Sequence, residues 1–398
     1  MNARIRLRLV RVVLAAALLG AGIVGVVGSS GAAAAKAVKF ATPFKIAGFF
    51  DIAGQDPQSD NGNISLIDIA INYLNSHGGV GGRKVEFKLF EMTYNPSTAQ
   101  TGFLQALAWK PSVVIGIDAS TVLVPLEQEF AKSKVPVLAL TTDLASQSTL
   151  KYPNNLFTFR GAPELGAAAT TQYLVNKFKP TKVGLICVSS PYGTANCNAD
   201  QIALIKDNVT VVNRVTAGIT STDESTEAQA MLGANLVLDE GFPGPIQLDI
   251  EAMTNEGLVV PVSASASVAY ATAGLTPAEL ALEYGFADCV PQNWTSQFGK
   301  QIYSEYEAKM NNAPMSGFTA HIFDATLMAA KAAELAKSPS PAKIGTELRT
   351  MKYVGLCSTY QSLKGGSQIM VHQAEIVQPT PTGGWTVLQT VPEGTSIG

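Results

Sequence analysis

The feature that most constrains this chain is a repeated alternation of short Val, Ile and Leu runs with longer stretches of helical period. Residues 45–50 (KIAGFF) read as a strand, and after a polar, Gly-containing loop Ile64, Ile67, Ile71 and Leu74 line one face of a helix over 63–75. That helix stops at Gly78-Gly79. Val85, Phe87 and Leu89 alternate with Lys84, Glu86 and Lys88 as a second strand, and Asn95-Pro96 opens a helix that ends near Trp109. The apolar run 113–117 leads to a capping Ser120-Thr121, a helix to Ser133 and a strand over 135–140. Strands apolar on both faces, each followed by a helix, require a parallel sheet covered on both sides.

The same rhythm restarts after residues 157–160. A helix over 165–177, a strand over 182–188, a loop containing Tyr192-Gly193, a helix to Asp207 and a strand over 209–214 follow in turn. A short helix at 226–232, a strand at 235–238, a helix at 246–255 and a strand at 258–262 continue the series. Three helices then arrive together (294–310, 318–336, 342–351), and the tail holds only strand-like segments at 368–377 and 385–391. Helices without intervening strands must cover a sheet made earlier. The expected architecture is therefore α/β, with two doubly wound parallel-sheet lobes and a chain that crosses between them more than once.

Arg4, Arg6, Arg8 and Arg11 precede an apolar stretch over 12–27, and small residues follow to Ala35-Lys36-Ala37. This is the pattern of a secretory signal over residues 1–37, cleaved between Ala33 and Ala37. The apolar stretch falls short of the roughly 20 residues of a bilayer span, and no later run is longer. Removing the four arginines takes the formal charge from -3 to -7 (-3 minus 4), which offers no general attraction to nucleic acid or anionic lipid. The first cysteine is Cys187, so none stands near the cleavage site to carry a lipid anchor. The protein is expected outside the cytoplasm, periplasmic or associated with the cell wall and not a lipoprotein, where ATP and NAD are not at hand. No cofactor is expected.

Four cysteines in an exported chain make two disulfides the expectation, with four buried free thiols as the alternative. Of the three connectivities, sequence separation favours Cys187 with Cys197, which leaves Cys289 with Cys357. The absence of C-x-x-C speaks against a thioredoxin-type centre and a Cys-rich zinc site, and no metal is expected.

Residues 72–84, NYLNSHGGVGGRK, resemble the "I-N-x-x-G-G-(I/V)-x-G-R-x" turn of the type I extracellular solute-binding proteins, which serve branched-chain amino acid, amide and related ABC transporters. The likeness continues through the strand, G-x-x-S-(S/T) loop, helix, "V-P" and strand of residues 113–142, and Tyr192-Gly193 matches the family's "Y-G". It covers about residues 45–391 and is loose after Ala217. The glycines at 78, 79, 81 and 82 follow a helix and precede a strand, the reverse of a phosphate loop, and so read as a helix cap and tight turn.

The resemblance implies a small-molecule ligand in the cleft between the lobes, where carboxyl ends of parallel strands meet. Ser120 and Thr121, at a strand end and a helix start, can cap the helix or hold an oxygen of the ligand. Thr141 and Thr142 end the next strand. Tyr192 faces the cleft from the second lobe, while Phe50 and Asp51 close the first strand and, with Phe49, belong to its wall or to the core. In amino-acid-binding relatives an acidic residue after the strand near Val262 holds the ligand ammonium. Here that stretch reads VSASAS, and Glu240, beside Gly241-Phe242, is the substitute or else an exposed rim carboxylate.

Of the three histidines, His77 adjoins a helix end, His321 lies in an apolar helix and His372 in a late strand, positions that favour solvated or core roles. H-E-x-x-H, G-x-S-x-G and Walker A motifs are missing. The reading is a non-enzymatic binding protein that closes on a small polar solute, such as an amino acid, an amide or a short carboxylate, and delivers it to the membrane subunits of an ABC permease. Its lobes are residues 45–160 with 290–357, and 161–289 with 358–391. A ligand-sensing receptor module of the same fold, or a secreted α/β hydrolase, are the alternatives.

Overall fold

The computed structural model describes residues 39–52, 57–141, 155–219, 221–264, 275–362, 369–380 and 385–392. Residues 1–37, expected as a signal segment, Thr142 and residues 265–267 of the VSASAS stretch lie outside them. Two sheets organise the chain. The first has five strands in the order β2-β1-β3-β4-β5, with β1 (Lys45–Phe50), β2 (Glu86–Glu91), β3 (Val113–Gly116), β4 (Val137–Ala139) and β5 (Leu156–Thr158). All its neighbours are parallel. Helices α1 (Pro57–Ser76), α2 (Pro96–Ala108) and α3 (Ser120–Ser133) make the crossovers. Asn95 caps α2, its side chain accepting from the Ser97 and Thr98 amides.

The turn after α1 is structural, as its order in sequence requires. Gly79, at φ +74°, accepts no side chain because a Cβ there would collide with the Arg83 carbonyl. The Gly79 amide bonds the Leu74 carbonyl at 2.8 Å and closes the helix end.

The second sheet has seven strands in the order β14-β13-β10-β9-β8-β6-β7. They are β6 (Lys182–Val188), β7 (Thr210–Ala217), β8 (Leu236–Glu240), β9 (Val262–Ala264), β10 (Glu283–Ala287), β13 (Gln373–Pro379) and β14 (Trp385–Pro392). The strands from β7 to β10 are parallel, whereas β13 and β14 join as an antiparallel edge. Its helices are α4 (Pro163–Phe178), α5 (Pro191–Lys206), α6 (Ser225–Ala230), α7 (Pro243–Asn255) and the short α8 (Pro277–Leu280). β10 (EYGFA) carries no Val, Ile or Leu run, so the apolar pattern of the sequence does not mark it as a strand.

The three late helices α9 (Gln297–Lys309), α10 (Gly317–Leu335) and α11 (Pro341–Leu348) return to the first sheet. Phe323, Met328 and Ala332 of α10, Ile344 of α11 and Ile302 of α9 share one core with Ile67 of α1 and Ile115 of β3. The hairpin β11 (Lys352–Val354) and β12 (Thr359–Gln361) follows. The chain thus passes between the sheets three times, after β5, after β10 and before β13. The passes run side by side: the Met370 amide bonds the Thr158 carbonyl at 2.8 Å, and the Gly161 amide bonds Asp288 Oδ2 at 3.1 Å.

Both disulfides are present in the expected pairing. Cys187 of β6 joins Cys197 of α5 across a Cα separation of 6.1 Å, and Cys289 joins Cys357 across 5.0 Å. The second ties the pass after β10 to the turn of the β11–β12 hairpin.

Candidate functional site

β3 ends at Gly116, and Ile117, at φ 60°, turns the chain so that α3 begins at Ser120 with Ala119 as its cap residue. Ala119 offers no side-chain cap, and Ser120 is already the first helical residue. The expectation that Ser120 caps α3 is therefore corrected. Its hydroxyl accepts instead from the Tyr192 backbone amide at 3.1 Å, a bond between residues 72 apart that joins the two lobes. The Thr121 Oγ1 is buried and has no hydrogen-bond partner among the described residues. Thr141 is also buried, its amide bonding the Ile117 carbonyl at 3.0 Å. Asp51 is buried at the end of β1, and Asp118 accepts from Asn63 Nδ2 at 3.4 Å.

Phe50 is part of the first-lobe core rather than a cleft wall. It is fully buried among Leu66, Phe157 and Phe323, and Phe49 is equally buried on the other face against Phe103. The parallel sheet buries both faces, so neighbouring residues both go inward.

From the second lobe, Tyr192 lies in the first turn of α5 rather than in a loop. Ser190 caps that helix by accepting the Gly193 amide at 3.1 Å, and Gly193 is needed because a Cβ would strike the Val188 carbonyl. The Tyr192 ring stacks on Phe242, with centroids 6.0 Å apart and planes at 21°. Phe242 precedes α7 at the end of β8, so the two aromatics form one surface at the carboxyl ends of β6 and β8.

Glu240 is not an exposed rim carboxylate. It is fully buried, accepts from Asn196 Nδ2 at 2.9 Å, and lies near Asp200, which itself accepts from Thr171 at 2.7 Å. Burial, followed by the repulsion of Asp200, raises the Glu240 pKa well above the ordinary carboxylate range. Burial likewise raises Asp200 to about 7. On the opposite face of β8, burial pushes Asp239 to about 7, and burial together with Asp239 raises Asp249 to about 11. Glu283 of β10 is raised by burial to about 8. No local pattern signals this inward set of acids, because in β8 (LVLDE) the two carboxylates look like a strand end reaching solvent.

A second buried network ties the passes together. Arg160 donates through Nε and Nη2 to Asp288 at 2.9 and 3.2 Å, and its guanidinium lies 4.5 Å from the Phe318 ring centroid. His321 Nε2 lies 3.1 Å from Asp288 Oδ1, and Nδ1 lies 2.7 Å from the Tyr360 hydroxyl. Tyr360 donates to Asp324 at 2.9 Å, which also accepts the Leu356 and Cys357 amides at 2.8 and 2.7 Å. Burial alone would raise Asp288, but Arg160 and then His321 hold it far below the ordinary range. His321 thus has the core role expected of it, and exposed His77 contacts Tyr73 and Ser76 at its own helix end. His372 contacts the Gln361 carbonyl at 2.8 Å.

The fold recurs in known proteins. Residues 43–384 match the family described as periplasmic binding protein. Among solved structures, a type 1 periplasmic binding protein from Bordetella pertussis Tohama I is similar, with a TM-score of 0.75 at 18% identity, covering 88% of this chain and 100% of that one. The branched-chain amino acid transporter substrate-binding protein LivJ of Streptococcus pneumoniae, in complex with isoleucine, gives 0.74 at 18% identity over 88% of this chain and 99% of that one. A fatty acid ABC transporter substrate-binding protein from Thermomonospora curvata gives 0.78 at 15% over 89% and 93%. No curated protein sequence matches the chain. With the family match spanning most of its length and two sheets crossed three times by the backbone, the chain belongs to the periplasmic binding proteins.

Proposed function

We propose that this protein binds a small solute between its two lobes outside the cytoplasm and presents the closed form to an ABC permease. The observation that carries the reading is the Thr121 hydroxyl, buried without a partner among the described residues and one residue from the Ser120–Tyr192 bond that joins the lobes. Buried polar groups in native proteins are nearly always paired. A ligand oxygen held by Ser120, Thr121, Thr141 and Thr142 supplies the missing partner, and the first turn of α3 adds free backbone N–H groups.

Tyr192 and Phe242 cover the apolar part of the solute. Asp51 belongs to the first-lobe wall, and Glu240 supports the second-lobe wall from behind, with its carboxyl turned toward Asn196 and Asp200. The lobes divide near residues 160, 289 and 361, the last falling after the β11–β12 hairpin and not at 357 because Tyr360 packs in the first-lobe core, and residues 1–37 are an export signal. Solved relatives carry isoleucine, 4-hydroxybenzoate and benzoate, a range that supports a small, carboxylate-bearing solute here.

Native mass spectrometry of protein purified without refolding identifies a retained solute, and calorimetry with that compound then tests the site. Leaving a buried partner unpaired costs about 1–3 kcal/mol, so Thr121→Ala weakens binding by about five-fold to a hundred-fold with little effect on the melting of the empty protein. Normal binding by Thr121→Ala, or a fall in the empty protein's melting point like that of a core deletion, removes the reading.

A further inference from the structure

The Cys289–Cys357 disulfide has a histidine beside it. The two sulfurs and a ring nitrogen of His321 all lie within 4.8 Å of one another, and no other group among the described residues has this spacing. Thiolate and imidazole ligands around a tetrahedral d¹⁰ cation sit at about 2.3 and 2.0–2.1 Å from it. Donors this close together need only small shifts to converge on one ion once the sulfurs part.

The surroundings fit a metal ligand set. His321 Nε2 lies 3.1 Å from Asp288 and Nδ1 2.7 Å from Tyr360, so whichever nitrogen ligates, the other keeps an orienting partner. His321 and Cys289 are buried, while half-buried Cys357 lines a groove of about 440 Å³ with Leu356, Ser358, Gln361 and His372. That groove is an entry path for a reductant and an ion. Cys187 and Cys197 are both buried and have no such histidine.

We propose that reduction of Cys289–Cys357 opens a zinc-type site made of both thiolates and His321. A dithiol transfers two electrons and two protons to the disulfide and is itself oxidised to a disulfide, leaving two thiols. The cation displaces both thiol protons to solvent and binds the thiolates, with water completing four-coordination. The ion then replaces the covalent link between the pass after β10 and the β11–β12 hairpin.

The test uses the wild-type chain reduced with a water-soluble phosphine, which water converts to the phosphine oxide as the disulfide gains its two protons and two electrons. After anaerobic desalting, Co²⁺ serves as the probe. One equivalent should give thiolate-to-cobalt charge-transfer absorption and tetrahedral d–d bands, bleached by Zn²⁺ and absent from unreduced protein. Cys357→Ser, which leaves the buried residues in place, should lose the band or bind at least about ten-fold more weakly. X-ray absorption of the wild-type cobalt form should show two sulfurs and an imidazole, a readout that needs no variant at His321. No band at one equivalent, a band that persists in Cys357→Ser, or sulfur coordination without imidazole overturns the proposal.

Discussion

Replacing Glu240 with Gln should flatten the pH dependence of this protein's stability, and the buried acids of the second lobe supply the magnitude. Glu240 and Asp200 both lie fully inside that lobe, with Asn196 and Thr171 as their neutral hydrogen-bond partners. Their folded pKa values are raised, so the folded state holds protons that the unfolded chain releases. Stability is then complete below the unfolded pKa, about 4, and is lost as pH rises through the folded value. For Asp200 that interval runs from 3.8 to about 7, and at about 1.4 kcal/mol per pH unit it amounts to about 4 kcal/mol. Gln keeps the volume of Glu240 and a neutral hydrogen-bonding group beside Asp200, but it removes the ionisation of Glu240 and with it that group's own raised-pKa contribution to the slope. The variant should therefore lose less stability than wild type between about pH 4.5 and 8, its slope shallower by up to about 1.4 kcal/mol per pH unit over part of that range. Urea unfolding at fixed pH steps, followed by circular dichroism, measures both slopes. Parallel curves for the two proteins, or wild-type stability that rises steadily across that range, would refute the reasoning.

Arg160→Met strands the Asp288 carboxylate in the interior and should cost about 3–5 kcal/mol, read as a lower urea midpoint; an unchanged midpoint means the pair is solvated in solution. Thiol titration of denatured, unreduced protein should find no free thiols, since both pairs are bonded; two or four would remove one or both bridges. N-terminal sequencing of exported protein should find cleavage between Ala33 and Ala37, within the small-residue stretch, and a start near Met1 would mean an uncleaved segment.

The strand and helix alternation was legible because parallel strands buried on both faces carry Val, Ile and Leu without a break. Where that condition lapses, the pattern fails. β10 (EYGFA) and the hairpin β11–β12 (KYV and TYQ) bear mixed residues, and neither shows in the sequence. The edge strands β13 and β14 do show, but their antiparallel pairing depends on where the third pass enters the sheet, which no local pattern records. The disulfide pairing was legible from separation alone.

Of the candidate site, the positions in the fold were legible and the contacts were not. Strand ends and helix starts pointed to Ser120, Thr121 and Tyr192, because the carboxyl edge of a parallel sheet is where backbone N–H groups stand free. That Ser120 would spend its hydroxyl on the Tyr192 amide is a fact about two lobes meeting, and sequence periodicity describes only one element at a time. Glu240 shows the same limit from the other side. A carboxylate at the end of a strand is expected to reach water, yet α4 and α5 bring Thr171, Asn196 and Asp200 over it. Once the acid is enclosed, its charge is costly and its pKa rises. The Tyr192–Phe242 stack stands at the carboxyl ends of β6 and β8, and the Glu240 carboxyl, two residues before Phe242, is enclosed in the same lobe with its pKa raised well above the ordinary range.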